Sequence, residues 1–394
     1  MKTVIKNAKV IDSHFEVIDG EVAICDTEII FVGKKYEGVT DHIIDAKGYY
    51  VSPGFIDIHV HGGDGYDFMD ADPEEYMKIA AFHARFGTTA MVPTTVSGAM
   101  SGTQKVLEAF SQAKAKENPG AKMLGLHLEG PYVSKSRSGA LDPQYIVNPK
   151  KEEFEELLKK AQGDIIRWTI APELDGAMEL GDRLKELGII ASIGHSDAKM
   201  SDVARAMEHG FGLVTHFYSC MSTVTREHGY RFGGVIEAGL YYDNLDVEII
   251  ADNRHLPPEL LKLIYKIKGY EHIALVTDAM RGAGRESGQY LLGSKIDGIA
   301  AVIEDGVAKL MDRSAFAGSV ATADRLVRTM KNEVEVPLAH AVYMMSYKPA
   351  QILGCEGEVG SLEAGKTADL VLFDDDIHIK MTIINGKIVY ENKE

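Results

Sequence analysis

The first fifty residues alternate between apolar and polar positions with a period of two. Val4-Ile5 and Val10-Ile11 precede an Asp19-Gly20 pair, and Val22-Ala23-Ile24 and Ile29-Ile30-Phe31-Val32 follow it. This spacing predicts short strands, a turn at Asp19-Gly20 and no helix. The last forty residues repeat the pattern: Ala368–Phe373 and Met381–Ile384, an Asn385-Gly386 pair, then Lys387–Tyr390. Asn-Gly between apolar runs is a strong hairpin signal, because both residues tolerate the positive φ of a tight turn. Both chain ends therefore read as strands of one small β domain.

The interior changes period. Short apolar runs stand at Phe55–Val60, Thr89–Pro93, Met123–Leu128, Arg167–Ala171, Ile189–Ile193, Leu213–His216, Val247–Ala251 and Ile273–Thr277. Stretches of helical spacing separate them, such as Pro73–Phe86, Glu152–Ala161, Met178–Leu187 and Pro258–Ile267. Strand–helix alternation predicts βα units and a parallel sheet. Eight such strands are what a closed barrel needs. Gln289–Leu310 reads as extra hairpins, and helices resume at Ala321–Glu333 and Leu338–Leu353. The expected fold class is α/β: a (β/α)8 TIM-type barrel over 53–353, with a small β-sandwich domain formed by 1–52 and 354–394.

Charge changes the picture of partners. The net charge of -17 repels nucleic acid and anionic lipid, so neither is an expected partner. A small anionic substrate remains open, provided a local basic pocket receives it. The cysteines, Cys25, Cys220 and Cys355, are odd in number and widely spaced, which fits a reducing compartment. No signal peptide and no membrane-length apolar stretch is evident, so the expected location is the cytoplasm.

The strand ends carry the chemistry. The first run ends Asp57-Ile58-His59-Val60-His61, and residues two apart on a strand face the same side. The third ends His127-Leu128-Glu129, the fifth leads to Gly194-His195, the sixth ends Thr215-His216 and the eighth leads to Asp278. A barrel gathers such positions at its C-terminal face. Imidazole and carboxylate are ligands for a divalent ion such as zinc or iron, which lowers the pKa of bound water and polarises a carbonyl. A neighbouring carboxylate, Asp278, would shuttle the proton. Metal-assisted hydrolysis follows. A lone strand-end histidine is more often an ordinary hydrogen-bonded residue, and His42, His83, His209, His228, His272 and His378 receive that reading. His127 is expected beside the ligands rather than among them. Cys220 reads as a small buried thiol, and Trp168 as core. A non-catalytic metal-binding protein is the reading from another class, and Asp278 argues against it.

These residues also carry a resemblance. Pro53–Gly62 resembles the opening motif of the amidohydrolase superfamily. With His127–Pro131, Gly194–Ser196, Thr215-His216, Val276–Met280, Ala317–Ser319 and Gly360–Val371, the chain is similar to the N-acetylglucosamine-6-phosphate deacetylase family over nearly its whole length. The resemblance implies removal of acetate from an N-acetylated amino-sugar phosphate by a homodimer. It implies one ion on Glu129, His195 and His216, and a second on His59 and His61 bridged by Glu129. Asp278 would be general base and then general acid. Ala140, Ser219 and Cys220 would lie against the substrate. Arg226 and His255 would hold its phosphate, His255 coming from the partner subunit. The chain departs from the family at three places. Leu141 replaces a histidine in Gly-Ala-His, Ser219-Cys220 replaces Asn-Ala, and the loop Glu227–Gly233 is longer. An amidohydrolase for another N-acyl or cyclic-amide compound is the alternative these departures suggest.

Overall fold

The computed structural model describes residues 1–393. Eight strands form a parallel barrel: β1 (Phe55–Val60), β2 (Thr88–Thr95), β3 (Leu126–Glu129), β4 (Ile165–Ile170), β5 (Ile190–Ile193), β6 (Phe211–Val214), β7 (Asp246–Ile249) and β8 (Ile273–Leu275). Each pairs in parallel with the next. Closure runs through the residues past β8: Val60 bridges Ala279, and the His61 N–H donates to the Ala279 carbonyl at 2.9 Å. The strands are buried on both faces, which is why they read as near-continuous apolar runs.

Helices cover the barrel: α1 (Pro73–Ala84), α2 (Met100–Lys114), α3 (Lys151–Ala161), α4 (Ala177–Leu187), α5 (Met200–Glu208), α6 (Val235–Tyr241) and α7 (Pro258–Lys268). Their ends follow local chemistry. Asp72 accepts the Glu74 N–H at 2.9 Å with Pro73 at the first helical position of α1, and Gly188 closes α4 at φ 69°. The hairpins expected over Gln289–Leu310 are present as a three-stranded antiparallel meander (Gly288–Leu292, Ile299–Glu304, Val307–Leu310). α8 (Ala323–Asn332), α9 (Leu338–Met345) and α10 (Tyr347–Leu353) complete the barrel's cover.

The chain ends meet in one eight-stranded sheet. Tyr50–Pro53 pairs with Leu370–Phe373, joining the N-terminal strands to the C-terminal hairpin. Ile5, Val10, Val22, Leu370, Leu372 and Ile383 share its core. The Asn385-Gly386 turn is present, with φ of 49° and 71°.

Three expectations need correction. Asp19 and Gly20 lie inside a strand, Val17–Cys25, opposite Lys9 and Ala8. The reversal falls at 12–16, where the Asp12 carboxylate accepts the N–H groups of His14 and Glu16 at 2.9 and 3.0 Å. Gly20 serves close approach instead, since a Cβ there would stand 2.7 Å from the Gly33 carbonyl oxygen. The run Met123–Leu128 is broken into Lys122–Met123 and β3. Gly125 marks the break, where a Cβ would meet the Ile166 side chain at 2.6 Å. The helix expected over Leu338–Leu353 splits at Ser346, φ -131° and ψ -70°. Pro349 has no N–H to give the carbonyl of Met345, so the helix cannot run through.

Candidate metal centre

Each polar side chain is delivered by a strand end. His59 lies in β1 and His61 just beyond it, and their Nε2 atoms stand 3.3 Å apart. Glu129 ends β3. His195, His216 and Asp278 follow β5, β6 and β8 and all take left-handed backbone, with φ of 47°, 30° and 50°. Non-glycine residues adopt that region at a cost of about 1–3 kcal/mol each, and persist there when their surroundings over-determine them. The surroundings are visible here. Ser134 donates to the His195 carbonyl at 2.8 Å, Ser319 donates to the Asp278 carbonyl at 2.7 Å, and the Asp278 N–H donates to His59 at 2.9 Å.

The side chains converge on Glu129. Its Oε1 lies 2.9 Å from His216 Nε2, 3.2 Å from His195 Nε2 and 3.6 Å from His59 Nε2, and its Oε2 lies 3.3 Å from His61 Nε2. Asp278 Oδ1 stands 3.0 Å from His61 Nε2 and 3.5 Å from His59 Nε2. Two groups could hold a metal ion, His59/His61/Glu129 and Glu129/His195/His216, each with donor atoms within 4.8 Å of one another. Glu129 belongs to both. Three of the imidazoles have the other nitrogen engaged: His61 Nδ1 with the Thr94 carbonyl at 3.3 Å, His195 Nδ1 with the Arg137 carbonyl at 2.9 Å, and His59 Nδ1 with Glu248 at 3.4 Å. Those acceptors fix Nδ1 as the protonated nitrogen and turn the Nε2 lone pair toward the centre. The donor set and its orientation fit a divalent cation.

Electrostatics agree. Burial opposes charge on His59 and His61, yet the Glu129 and Asp278 carboxylates outweigh it and raise them to about 9 and about 10. Burial likewise favours neutral Glu129 and Asp278, and the surrounding imidazoles hold both below the ordinary carboxylate range. Without a cation His59, His61 and His195 hold protons, while burial keeps His216 neutral. A cation would displace them.

A cavity of about 220 Å³ opens over the cluster, with His61, Glu129 and Asp278 in its wall. Of the residues expected against a substrate, Ala140, Ser219, Cys220 and His255 all line it, as does Leu141. Leu141, Val96 and Leu292 make one side apolar. Cys220 is half-buried there beside His195, so it is not a core thiol. His255 reaches the cavity of its own chain, braced by Asp252 at 3.0 Å and packed on Phe316. The expectation that a partner subunit supplies His255 is thereby corrected: the segment after β7 already carries it to this cavity. Arg226 does not line the cavity. It sits on an exposed hairpin, Thr225–Glu227 paired with Tyr230–Phe232, which carries it into solvent.

Four interior residues add to the site. His127 is held between Thr169 at 2.7 Å and Thr94 at 3.2 Å, its ring edge-on to His59, in neither ligand group. Burial and then the Arg167 charge keep it neutral. Arg167 and Glu248, both fully buried, form an ion pair beneath the histidines. Burial favours neutral Glu248, and Arg167 overrides it. Trp168 is core, and its Nε1–H also donates to the Gly130 carbonyl at 2.9 Å, next to Glu129.

The barrel and its histidine–carboxylate cluster define the class: the chain belongs to the amidohydrolase family, whose profile matches residues 50–389. It is 34% identical over 340 residues to the N-acetylglucosamine-6-phosphate deacetylase of Vibrio furnissii, covering 86% of this chain and 82% of that one. It is 31% identical to the N-acetylgalactosamine-6-phosphate deacetylase of Escherichia coli O157:H7, covering 96% and 94%. Among solved structures it is similar to the N-acetyl-D-glucosamine-6-phosphate deacetylase of Mycobacterium smegmatis. A mutant of that enzyme in complex with N-acetyl-D-glucosamine-6-phosphate superposes with TM-score 0.89 at 28% identity, covering 99% of each chain. Within the amidohydrolases, the chain's place is with the N-acetylglucosamine-6-phosphate deacetylases.

Proposed function

We propose that the chain is a metal-dependent deacetylase that removes acetate from N-acetylglucosamine-6-phosphate, giving glucosamine-6-phosphate. The observation that carries this reading is the Glu129 carboxylate shared by two histidine pairs, with Asp278 beside His59 and His61 in the wall of a cavity of about 220 Å³. Glu129, His195 and His216 would hold one ion, and His59 and His61 with Glu129 a second, zinc or iron by donor type. A bound ion supplies a Lewis acid for the acetamide carbonyl and makes water acidic near neutral pH. Asp278 takes the proton of the attacking water, returns it to the sugar nitrogen and so makes the amine a leaving group. His255 and Ser219 bind the polar end of the substrate. The apolar side formed by Leu141, Val96 and Leu292 receives the acyl methyl group.

Arg226 fits this scheme from a second copy. Its hairpin is exposed and Arg226 does not line its own cavity, so we assign it to the phosphate in the partner's cavity of a homodimer located in the cytoplasm. Arg226→Ala would then raise KM for phosphorylated substrate about tenfold or more, with little change for an unphosphorylated N-acetyl sugar.

Acetate release by the zinc- or iron-loaded protein from N-acetylglucosamine-6-phosphate tests the main reading; none from any N-acetyl amino-sugar phosphate would sink it. Leu141 favours a second reading, an amide with a larger acyl group. Rates across acetyl, propionyl and butyryl amides of glucosamine-6-phosphate separate the two.

A further inference from the structure

The buried ion pair beneath the histidines has a specific geometry. Glu248 projects from β7, and its Oε2 lies 3.4 Å from His59 Nδ1 and accepts the His216 backbone N–H at 3.2 Å. Its Oε1 takes Nη1 of Arg167. Arg167 comes from β4 and also donates to the Ile58 carbonyl, Ser192 Oγ and Thr215 Oγ1, each at 3.0 Å. Neither β1 nor β7 neighbours β4, so these contacts cross the barrel interior.

A fully buried ion pair is not needed for stability, since a well-packed apolar pair often serves as well or better. Its placement suggests another use. His61 and His195 obtain their Nδ1 acceptors from backbone carbonyls. His59 obtains its acceptor from a side chain, and the same oxygen holds the His216 backbone. We infer that Glu248, fixed by Arg167, is the positioning residue that sets the tautomer of His59 and thereby governs binding of the ion in the His59/His61/Glu129 group. This rests on the metal reading given under the proposed function.

The amide of Glu248→Gln makes a sharp test. Arg167 would take the amide oxygen, leaving the NH₂ to face His59 Nδ1. That reverses the hydrogen bond and favours protonation at Nε2, where the ion must bind. Arg167→Met/Glu248→Leu removes both charges together and guards against a variant that fails to fold. Zinc affinity and stoichiometry are measured on metal-stripped protein by competition with a chelator, independently of any deacetylase assay. A failed substrate assignment would therefore leave this result standing. Both variants are expected to bind the His59-side ion about ten- to hundredfold more weakly, while the ion on Glu129, His195 and His216 changes far less. Two ions bound at parental affinity in either folded variant would overturn the inference. The zinc-bound crystal structure of the unaltered protein gives a second measurement that needs no variant. An ion on His59 Nε2 with Nδ1 on Glu248 supports it. An ion held without His59, or through its Nδ1, overturns it.

Discussion

Asp278 combines two properties that a proton shuttle requires. It stays ionised despite burial because His59 and His61 face it, and it lies in the cavity wall where a reacting amide would sit. Asp278→Asn keeps the shape and removes the base. Acetate release by this variant is expected to fall about 10²- to 10⁴-fold in kcat, with zinc content unchanged by elemental analysis. A loss of metal equal to the loss of rate would make Asp278 a ligand rather than the shuttle. Residues of this kind were legible in the chain, because strand-end position is local information: His59, His61, Glu129, His195, His216 and Asp278 each stand at or just past an apolar run. Glu248 and Arg167 were not. In Asp246-Val247-Glu248-Ile249 an alternating carboxylate reads as the solvent side of a strand, and only closure of the barrel turns that side inward. Arg226 follows the sixth strand as the sequence places it, but the hairpin that carries it stands exposed and outside its own chain's cavity, which local spacing does not encode.

At the scale of elements, β4 supports the site from below and behind. Trp168 stacks on Tyr132 with centroids 5.4 Å apart and donates to the Gly130 carbonyl, immediately after Glu129. Trp168→Phe leaves that buried carbonyl without its partner and opens space in the core. The unfolding free energy is expected to fall by about 1–3 kcal/mol, read from chemical denaturation of the variant and parent. KM should move less than kcat, because the change acts on Glu129 and not on the substrate end of the cavity. A variant as stable as the parent would remove Trp168 from the support of the site. Strands and helices were legible where periodicity ran undisturbed, as in β1 and α4. The misses arose where a tertiary contact or a missing donor overrode the local pattern. Gly125 admits Ile166, and Pro349, in the first turn of α10, denies the Met345 carbonyl a donor, so the helix breaks at Ser346 although its apolar spacing continues. Asp19-Gly20 has turn residues but occupies a strand, because Gly20 is needed for the approach of Gly33.

At the scale of the whole molecule, the cluster ties stability to protons and to metal. In the metal-free fold His59 and His61 hold their protons up to about 9 and about 10, against 6.5 for an ordinary imidazole. Their folded values are raised, so the stabilisation they give is complete below pH 6.5 and lost as pH climbs through 9 and 10. A cation takes the place of the same protons, so metal affinity rises with pH over that window and levels off above it. Glu129 and Asp278 act at the other end: their lowered values contribute stability that is lost only in acid. Stripped protein is therefore expected to lose Tm between neutral pH and about pH 10, while zinc-loaded protein resists that loss, so the gap between them widens as pH rises. Differential scanning calorimetry of both forms across the window measures the gap. A gap independent of pH would mean that the ion does not displace protons from His59 and His61, and would place it outside the His59/His61/Glu129 group.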